Sequence, residues 1–254
     1  MHRIDLNCDM GESFGAWNMG ADEAVMPCIS SANIACGFHA GDASVMRRTV
    51  AAAVAADVAI GAHVGLPDLA GFGRRRMALD PQAAYDITVV QIGALAAVAH
   101  TQGARLRHVK PHGALYHMLD EDSALAEATA RAIRDVDARL YVFGRSQGPW
   151  LRMAASMGLE VCHEVFADRT YRDDGTLMPR SEPGASLHGM EAVTSQAVRL
   201  AQGQGVVTGT GKMLSLKADT LCIHGDRDDA GTLAQTLRRH LESAGIRIAR
   251  HEPG

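Results

Sequence analysis

Short apolar segments rich in β-branched residues alternate along this chain with longer segments whose apolar residues recur every three or four positions. This alternation of strand and helix predicts an α/β protein with a mainly parallel sheet, because parallel neighbours need crossover connections. Strands are predicted at 3–8, 30–36, 58–63, 106–110, 140–143, 159–164 and 219–224. Helices are predicted at 42–56, 81–102, 122–135, 147–157, 190–202 and 228–244. Asp42 and Asp80-Pro81 are suited to begin two of these helices.

The number of βα units favours closure of the sheet. About seven units follow one another without a linker, so residues 1–254 are expected to form a single TIM-like β/α-barrel domain. An open, doubly wound sheet is the alternative, since periodicity does not reveal closure. The Gly-rich segment 203–218 predicts a small inserted β-hairpin. Its Gly-Lys pair does not form a phosphate loop, because Val206 and Met213 replace the Gly and Ser/Thr of that motif.

Composition excludes several classes of function. The net charge is −4 and no extended Lys/Arg-rich run occurs, whereas a nucleic-acid-binding face needs basic residues to neutralise phosphates. The N-terminal segment carries charges where a signal peptide is apolar, and no run of about 18 apolar residues predicts a membrane span. Five cysteines without a C-x-x-C pair favour reduced thiols. We therefore expect a cytoplasmic protein that binds neither nucleic acid nor a membrane.

Polar residues collect at the carboxyl ends of the predicted strands. Residues two apart on a strand point the same way. The sets that share a face are Asp5, Asn7 and Asp9; Asn33, Ala35, Gly37 and His39; Ala59, Gly61 and His63; His108, Lys110 and His112; Glu160, Cys162 and Glu164; and Cys222, His224 and Asp226. His39 belongs here only if its strand stays extended through Gly37. Active sites of parallel barrels lie at this rim, so convergence from several strands predicts an enzyme site.

The loops that follow the strands add further candidate groups. The Gly-rich segments 9–15 and 37–42 let backbone approach a ligand, and the first also supplies Glu12. Arginines in 71–76 and 164–171, with Arg180 nearby, predict a guanidinium clamp for a carboxylate or phosphate. Arg169 is the favoured clamp residue and Arg74 the second. The predicted substrate-binding residues are Asn7, Asn33, Arg74, Arg169, Arg180 and His224.

Eight blocks of sequence resemble one known family. They are IDLNCDMGESFG (4–15), SANIACGFHAGD (31–42), GAHVGLPDLAGFGRR (61–75), QIGAL (91–95), HVKPHGALY (108–116), EVFADRTY (164–171), DGTLMPRS (174–181) and KADTLCIHGD (217–226). Together they closely resemble the LamB/YcsF family of 5-oxoprolinase A subunits, in the family's order and across nearly the whole chain. Val64 stands where the family usually has Pro, but the neighbouring His63 is kept.

The resemblance implies a β/α barrel and a cytoplasmic enzyme that works with B and C partner subunits. The implied reaction is cleavage of 5-oxo-L-proline to L-glutamate, coupled to hydrolysis of ATP to ADP and phosphate. Mg²⁺ is expected to accompany ATP, whose site lies on this chain, on a partner, or between them. The resemblance does not identify a catalytic base.

The chemistry of lactam opening assigns candidate roles. Phosphorylation of the lactam oxygen would make the ring carbon electrophilic, after which a water needs a base and the ring nitrogen needs a proton. The candidate catalytic residues are Asp9, Glu12, His39, His63, Lys110, His112, Glu164 and Asp226. The carboxylates are candidates for the base or for magnesium ligands, and the histidines for proton transfer. The lysine would stabilise negative charge on the reacting oxygen.

Two other interpretations of the same residues stay open. A metal-dependent amidohydrolase or deacetylase would use Asp9, His63 and His112 as ligands from separate strands, with one coordination position open to substrate. Alternatively, the chain is a non-catalytic subunit that binds 5-oxoproline and presents it to its partners. Metal analysis, and assays with and without partner subunits, distinguish these interpretations.

Overall fold

The computed structural model describes residues 2–223 and 229–252. Its strands are β1 (Arg3–Met10), β2 (Ser31–Ala35), β3 (Ala59–Val64), β4 (Leu106–Pro111), β5 (Tyr141–Arg145), β6 (Val161–Phe166), β7 (Val206–Val207), β8 (Met213–Leu214), β9 (Thr220–Ile223) and β10 (Arg247–Ile248). Its α-helices are α1 (Asp22–Val25), α2 (Ala43–Ala55), α3 (Pro81–Thr101), α4 (Gly113–Glu121), α5 (Ser123–Asp137), α6 (Pro149–Ser156), α7 (Met190–Ala201) and α8 (Ala230–Ser243).

The parallel strands close into a barrel, as predicted. Strands β1 to β6 pair in chain order, β6 pairs with β9, and β9 returns to β1. Asp5 is in register with Thr220 on one side of β1, and Asn7 is in register with Ser31 on the other. The open-sheet alternative is therefore wrong. The predicted hairpin is present as the antiparallel pair β7–β8, and β10 adds a short parallel pairing to the start of β1.

Asp42 and Asp80 are the N-terminal caps of α2 and α3, as predicted from the sequence. The Asp42 carboxylate accepts hydrogen bonds from the N–H groups of Ser44 and Val45, at 2.8 and 3.0 Å. Asp80 accepts from Ala83, and Pro81 takes the first position of α3, where no donor is needed. These caps fix the points at which the chain leaves the rim of the barrel and turns into the outer helical layer.

Among the described residues, α3 is the one helix long and apolar enough to span a bilayer by length and composition. Its surroundings show that it is a helix of the barrel wall, because it packs against α5, β3 and β4. The buried Gln91 side chain also accepts from the N–H of Gly65 at 2.8 Å and donates to its carbonyl at 2.9 Å. A polar anchor of this kind ties α3 to the loop after β3.

Helix α4 was not predicted from the sequence, and it follows β4 almost immediately. The Pro111-His112-Gly113 sequence indicates a turn, and Gly113 adopts a left-handed φ of 53°. The helix is only 9 residues long and buries most of its side chains, so it lacks the one-sided apolar pattern of a surface helix. Its N-terminal half places Tyr116 and His117 beside the carboxyl end of β4, where they border the candidate site.

Candidate active site

The interior of the barrel is a hydrogen-bonded polar network. Asn33 donates from Nδ2 to the side-chain oxygens of Asn7 and Asp9, both at 2.8 Å. Asn7 in turn donates to Thr220 Oγ1 at 2.7 Å, and Thr220 donates to Asp5 at 2.5 Å. The inward orientation predicted for alternate residues of β1 is confirmed. Because the network lies inside the barrel, it holds the groups above it in one arrangement.

Gly61 makes room for a histidine at the centre of the network. A Cβ at Gly61 would lie 2.0 Å from Nε2 of His108, which is far inside van der Waals contact. The His108 ring stacks on Phe143 with centroids 4.1 Å apart, and its Nε2 donates to Asn33 Oδ1 at 2.7 Å. Burial, followed by the charges of Lys110 and His63, lowers the pKa of His108 to about 3. His108 is therefore a neutral structural donor.

Lys110 lies above this network and joins two carboxylates. Its Nζ is 2.8 Å from Asp9 Oδ1 and 2.8 Å from Glu164 Oε1, and it also donates to Asn7 and Cys222. Burial alone would lower the pKa of Lys110, but the charges facing it, Asp9 foremost, outweigh burial and raise the pKa well above its usual value. The side chain is thus a fixed cation at the base of the rim.

Asp9 is held as a carboxylate by its interactions with neighbouring groups. Burial would raise its pKa, but His63 and Lys110 outweigh burial and hold the pKa of Asp9 well below 3.8. Its second oxygen, Oδ2, lies 3.3 Å from Nε2 of His63. The adjacent thiol of Cys222 stays protonated, since burial raises its pKa well above the usual value. Asp9 therefore links the lysine to the histidines of the rim.

Three histidines and one glutamate meet beside Asp9. Nε2 of His63 and Nδ1 of His112 are 3.0 Å apart, and His39 stacks on His112 with ring centroids separated by 3.8 Å. Glu12 Oε1 is 3.7 Å from both His39 Nε2 and His112 Nδ1. One ligand atom from each of the four residues lies within 4.8 Å of the others. We call this group the histidine cluster, and Asp9 borders it without belonging to it.

His39 reaches the histidine cluster by a route that the sequence analysis did not predict. Strand β2 ends at Ala35, so the chain does not stay extended through Gly37, which adopts a left-handed φ of 93°. The N–H of Gly37 donates to the carbonyl of Ala40 at 2.8 Å and closes a tight loop. The condition that the strand stays extended through Gly37 is therefore not met, although the turn still delivers His39 to the rim.

A cleft lies over Lys110 and opens to solvent. The described residues that line it are Asp9, His63, Arg74, Lys110, Pro111, His112, Gly113, Tyr116, His117, Phe166, Arg169, Leu177 and Arg180. Sequence patterns did not predict four of these residues, Tyr116, His117, Phe166 and Leu177. The first two come from the unpredicted helix α4, and the other two are apolar residues with no chemical signature of their own.

The predicted arginines meet at the cleft but differ in their surroundings. Arg169 is buried and donates to the backbone carbonyls of Ala185 and Met178, at 3.3 and 2.5 Å. Burial, and then Arg180, lower its pKa below the usual value. Arg74 and Arg180 are exposed at the opening, and Arg74 lies 4.9 Å over the ring of Phe72. The cleft therefore has a cationic wall of three arginines, and the clamp for a carboxylate or phosphate stays a prediction.

Several predicted residues lie outside the cleft lining. Asn7 and Asn33 are fully buried beneath Asp9, so they support the charged groups and do not face the cleft. Glu164 is likewise buried behind Lys110. Glu12 and His39 line a second, neighbouring pocket with Phe14, Trp17, Leu69 and Phe72. The predicted residues His224 and Asp226 lie outside the described residues.

Comparison with known proteins gives consistent results. The sequence matches the LamB/YcsF family over residues 4–253. It is 56% identical over 245 residues to the A subunit of 5-oxoprolinase from Bordetella pertussis, covering 96% of this chain and 97% of that protein. It is 50% identical to the A subunit of 5-oxoprolinase from Bacillus subtilis, covering 98% of this chain and 96% of that protein.

A solved structure supports the same relationship. The crystal structure of the lactam utilization protein from Thermus thermophilus superimposes with a TM-score of 0.93 and 41% sequence identity. The superposition covers 97% of this chain and 99% of that one. The fold and the order of its elements are therefore those of that protein.

Proposed function

This chain belongs to the LamB/YcsF family, and we propose that it is the A subunit of an ATP-dependent 5-oxoprolinase. It contributes to cleavage of 5-oxo-L-proline to L-glutamate, with ATP converted to ADP and phosphate. The observation that carries this proposal is the 56% identity, over nearly the full length of both chains, to a relative named as the A subunit of 5-oxoprolinase. The charged cleft above Lys110 supports it, because lactam opening develops charge at an oxygen and a nitrogen.

Lys110 and Asp9 take the central roles in this proposal. A fixed ammonium at the base of the cleft stabilises the negative charge that develops on the reacting oxygen when water attacks the ring carbon. Asp9 is a carboxylate within hydrogen-bond distance of Lys110, and it also lines the cleft. It accepts a hydrogen bond from the attacking water and orients that water. Glu164 fixes the lysine from behind and stays out of contact with substrate.

The cationic wall of the cleft binds the carboxylate of 5-oxoproline. This carboxylate is ionised at neutral pH and must be held while the ring opens, and a guanidinium grips it through two parallel hydrogen bonds. Arg169 is the favoured residue, because its two backbone contacts fix its orientation and it also lines the cleft. Arg74 is the second candidate.

ATP and its magnesium fit the described residues poorly. Gly211-Lys212 lies in the turn between β7 and β8, with Lys212 exposed, so it does not precede a helix as a phosphate loop does. Mg²⁺ prefers oxygen ligands, and Asp9, the carboxylate among the described cleft residues, is already paired with Lys110. We therefore place ATP and Mg²⁺ at the contact with the B and C subunits. All five cysteines are buried free thiols, which agrees with a cytoplasmic enzyme.

Reconstitution tests the proposal. The purified chain, mixed with the B and C subunits of one of its relatives, is expected to release glutamate and phosphate from 5-oxoproline and ATP. A Lys110→Met chain should assemble but release neither product. Release of glutamate without ATP would favour the amidohydrolase interpretation. Full activity of the partners without this chain would contradict the proposal.

A further inference from the structure

Two histidines of the histidine cluster direct lone pairs at each other. Nδ1 of His63 lies 2.9 Å from the carbonyl oxygen of Lys110, and Nε2 of His112 lies 2.7 Å from that of Phe72. A carbonyl only accepts, so each of these ring nitrogens carries the proton. The opposite nitrogens, His63 Nε2 and His112 Nδ1, are then both acceptors in neutral rings, yet they are 3.0 Å apart. Such an arrangement calls for a cation between them.

His39 gives a second, independent indication. Its side chain is fully buried, and neither of its ring nitrogens has a hydrogen-bond partner among the described residues. An imidazole buried in this way loses its hydration without compensation. Its Nε2 points toward the same space, 3.7 Å from Glu12 Oε1. A ligand that accepts a lone pair at this position would satisfy the ring.

We propose that Glu12, His39, His63 and His112 bind a first-row divalent cation such as Zn²⁺. Three imidazole nitrogens with one carboxylate oxygen are a donor set that suits zinc and disfavours magnesium. In tetrahedral zinc with Zn–N bonds of 2.0–2.1 Å, ligand atoms are about 3.3 Å apart. Separations of 3.0, 3.7 and 4.0 Å occur in the histidine cluster, and all four ligand atoms lie within 4.8 Å of one another. To complete the site, the side chains must move inward and the His39 ring must rotate away from its stacked position on His112.

The surroundings of the histidine cluster match those of protein metal sites. Backbone carbonyls fix the tautomers of His63 and His112, as outer partners of metal-binding histidines commonly do. This ligand set differs from the one that the sequence suggested, since Asp9 stands outside it and is replaced by Glu12 and His39. Asp9 Oδ2 is still only 3.3 Å from His63 Nε2, which leaves it able to contact the ion or a water bound to it.

The position of the site links two pockets. His63 and His112 line the cleft above Lys110, whereas Glu12 and His39 line the neighbouring pocket. An ion held by all four residues would lie between the two pockets and close to the lactam. This catalytic placement rests on the proposed function, but the binding of the ion does not.

Metal binding by the isolated full-length chain tests the inference. The chain is treated with a chelator, dialysed, and titrated with ZnCl₂ by calorimetry, and metal content is measured by mass spectrometry. We expect one Zn²⁺ per chain. Co²⁺ should substitute and give the visible spectrum of a tetrahedral nitrogen and oxygen site. The readout is stoichiometry and spectrum, so it is independent of ATP, 5-oxoproline and the partner subunits.

Substitutions show whether Zn²⁺ binds to the histidine cluster or to another histidine of the chain. His63→Ala and His112→Ala should each weaken Zn²⁺ binding by more than the roughly 10- to 100-fold that loss of an outer-sphere partner costs. Glu12→Gln keeps the side-chain shape and should weaken binding at least about 10-fold in a chain that folds normally by circular dichroism. The matched control is His117→Ala, which removes a cleft histidine outside the cluster and should leave affinity unchanged.

Two results would overturn the inference. One is a wild-type chain that binds neither Zn²⁺ nor Co²⁺ at one equivalent, since a proton shared between His63 and His112 would then explain their approach. The other is stoichiometric binding that survives unchanged in the folded Glu12→Gln and His112→Ala chains. Neither result bears on whether glutamate release needs ATP and partner subunits, so this inference and the proposed function fail separately.

Discussion

Lys110 Nζ lies 2.8 Å from Glu164 Oε1 inside the barrel, where the glutamate is fully buried. The same ammonium lies 2.8 Å from Asp9 Oδ1, so one cation forms ion pairs with two carboxylates. Removal of the lysine leaves both carboxylates without their cation, and one of them, Glu164, is fully buried. A buried charge that loses its partner is strongly destabilising.

The Lys110→Met substitution is therefore expected to lower both activity and stability. The free energy of unfolding should fall by about 3–5 kcal/mol, measured by urea denaturation at neutral pH. The matched control is Lys217→Met, which removes an exposed lysine 3.3 Å from Asp219 and should change stability by about 0–1 kcal/mol. Equal effects of the two substitutions would show that the buried pairs do not organise the barrel interior.

Gly61 is predicted to be required for stability, because a side chain at this position would collide with the His108 ring. The Gly61→Ala methyl would lie 2.0 Å from His108, and overpacking of a full core costs about 1–3 kcal/mol or more. Gly93→Ala is the matched control, because no atom of the described residues lies within 4 Å of that methyl position on α3. Alanine there should be neutral or stabilise by up to about 1 kcal/mol. Thermal unfolding of both variants tests this, and equal melting temperatures would contradict it.

The sequence predicted the barrel and most of the rim, for physical reasons that the structure makes plain. Strand alternation is a local rule, so Asn7, Asp9, His108 and Lys110 could be assigned to one face without knowledge of the fold. The βα rhythm and the spacing of apolar residues were likewise local signals. The seven-stranded closure was inferred from the number of units and is confirmed by the β1–β9 pairing.

The sequence did not predict features that depend on contacts between distant segments. His39 enters the rim through a turn at Gly37, a route that alternation alone does not describe. Helix α4 is short and more than half buried, which weakens its helical period. The pairing of His63 with His112, and the contact of Glu12 with both His39 and His112, join separate loops and strand ends. The sequence therefore named the members of the histidine cluster but not their arrangement.

His108 predicts a pH dependence of stability. Its pKa is about 3 in the folded chain and about 6.5 when unfolded, so between these values the unfolded state binds a proton that the folded state does not. Its contribution to stability is complete above about pH 6.5 and is lost as pH falls toward 3. Between pH 6.5 and 5 this loss amounts to about 2 kcal/mol.

The His108→Gln substitution removes this titration while keeping an N–H donor for Asn33. Urea denaturation of both chains at several values between pH 7 and 5 is the measurement. The difference in unfolding free energy between wild type and variant should shrink as pH falls. Parallel curves would show that protonation of this ring is not linked to folding.

The arginine clamp predicts a change in substrate affinity. Arg169→Lys keeps the charge but loses the planar fork, so the apparent affinity of the reconstituted complex for 5-oxoproline should weaken by about 10- to 150-fold, or 1.5–3 kcal/mol. Arg74→Lys is the second candidate. Arg75→Lys is the control, because Arg75 pairs with Asp68 and is not among the described residues that line the cleft. Unchanged affinity in both cleft variants would place the clamp elsewhere.

The coupling of ATP hydrolysis to lactam opening tests the central claim most directly. The measurement is the release of glutamate and phosphate by the chain alone, by the B and C partner subunits alone, and by the reconstituted complex, with and without 5-oxoproline. We predict that the two products appear in equal amounts, only in the complete complex and only when both substrates are present. Phosphate release by the isolated chain that depends on 5-oxoproline, or glutamate release by any mixture without ATP, would contradict the account.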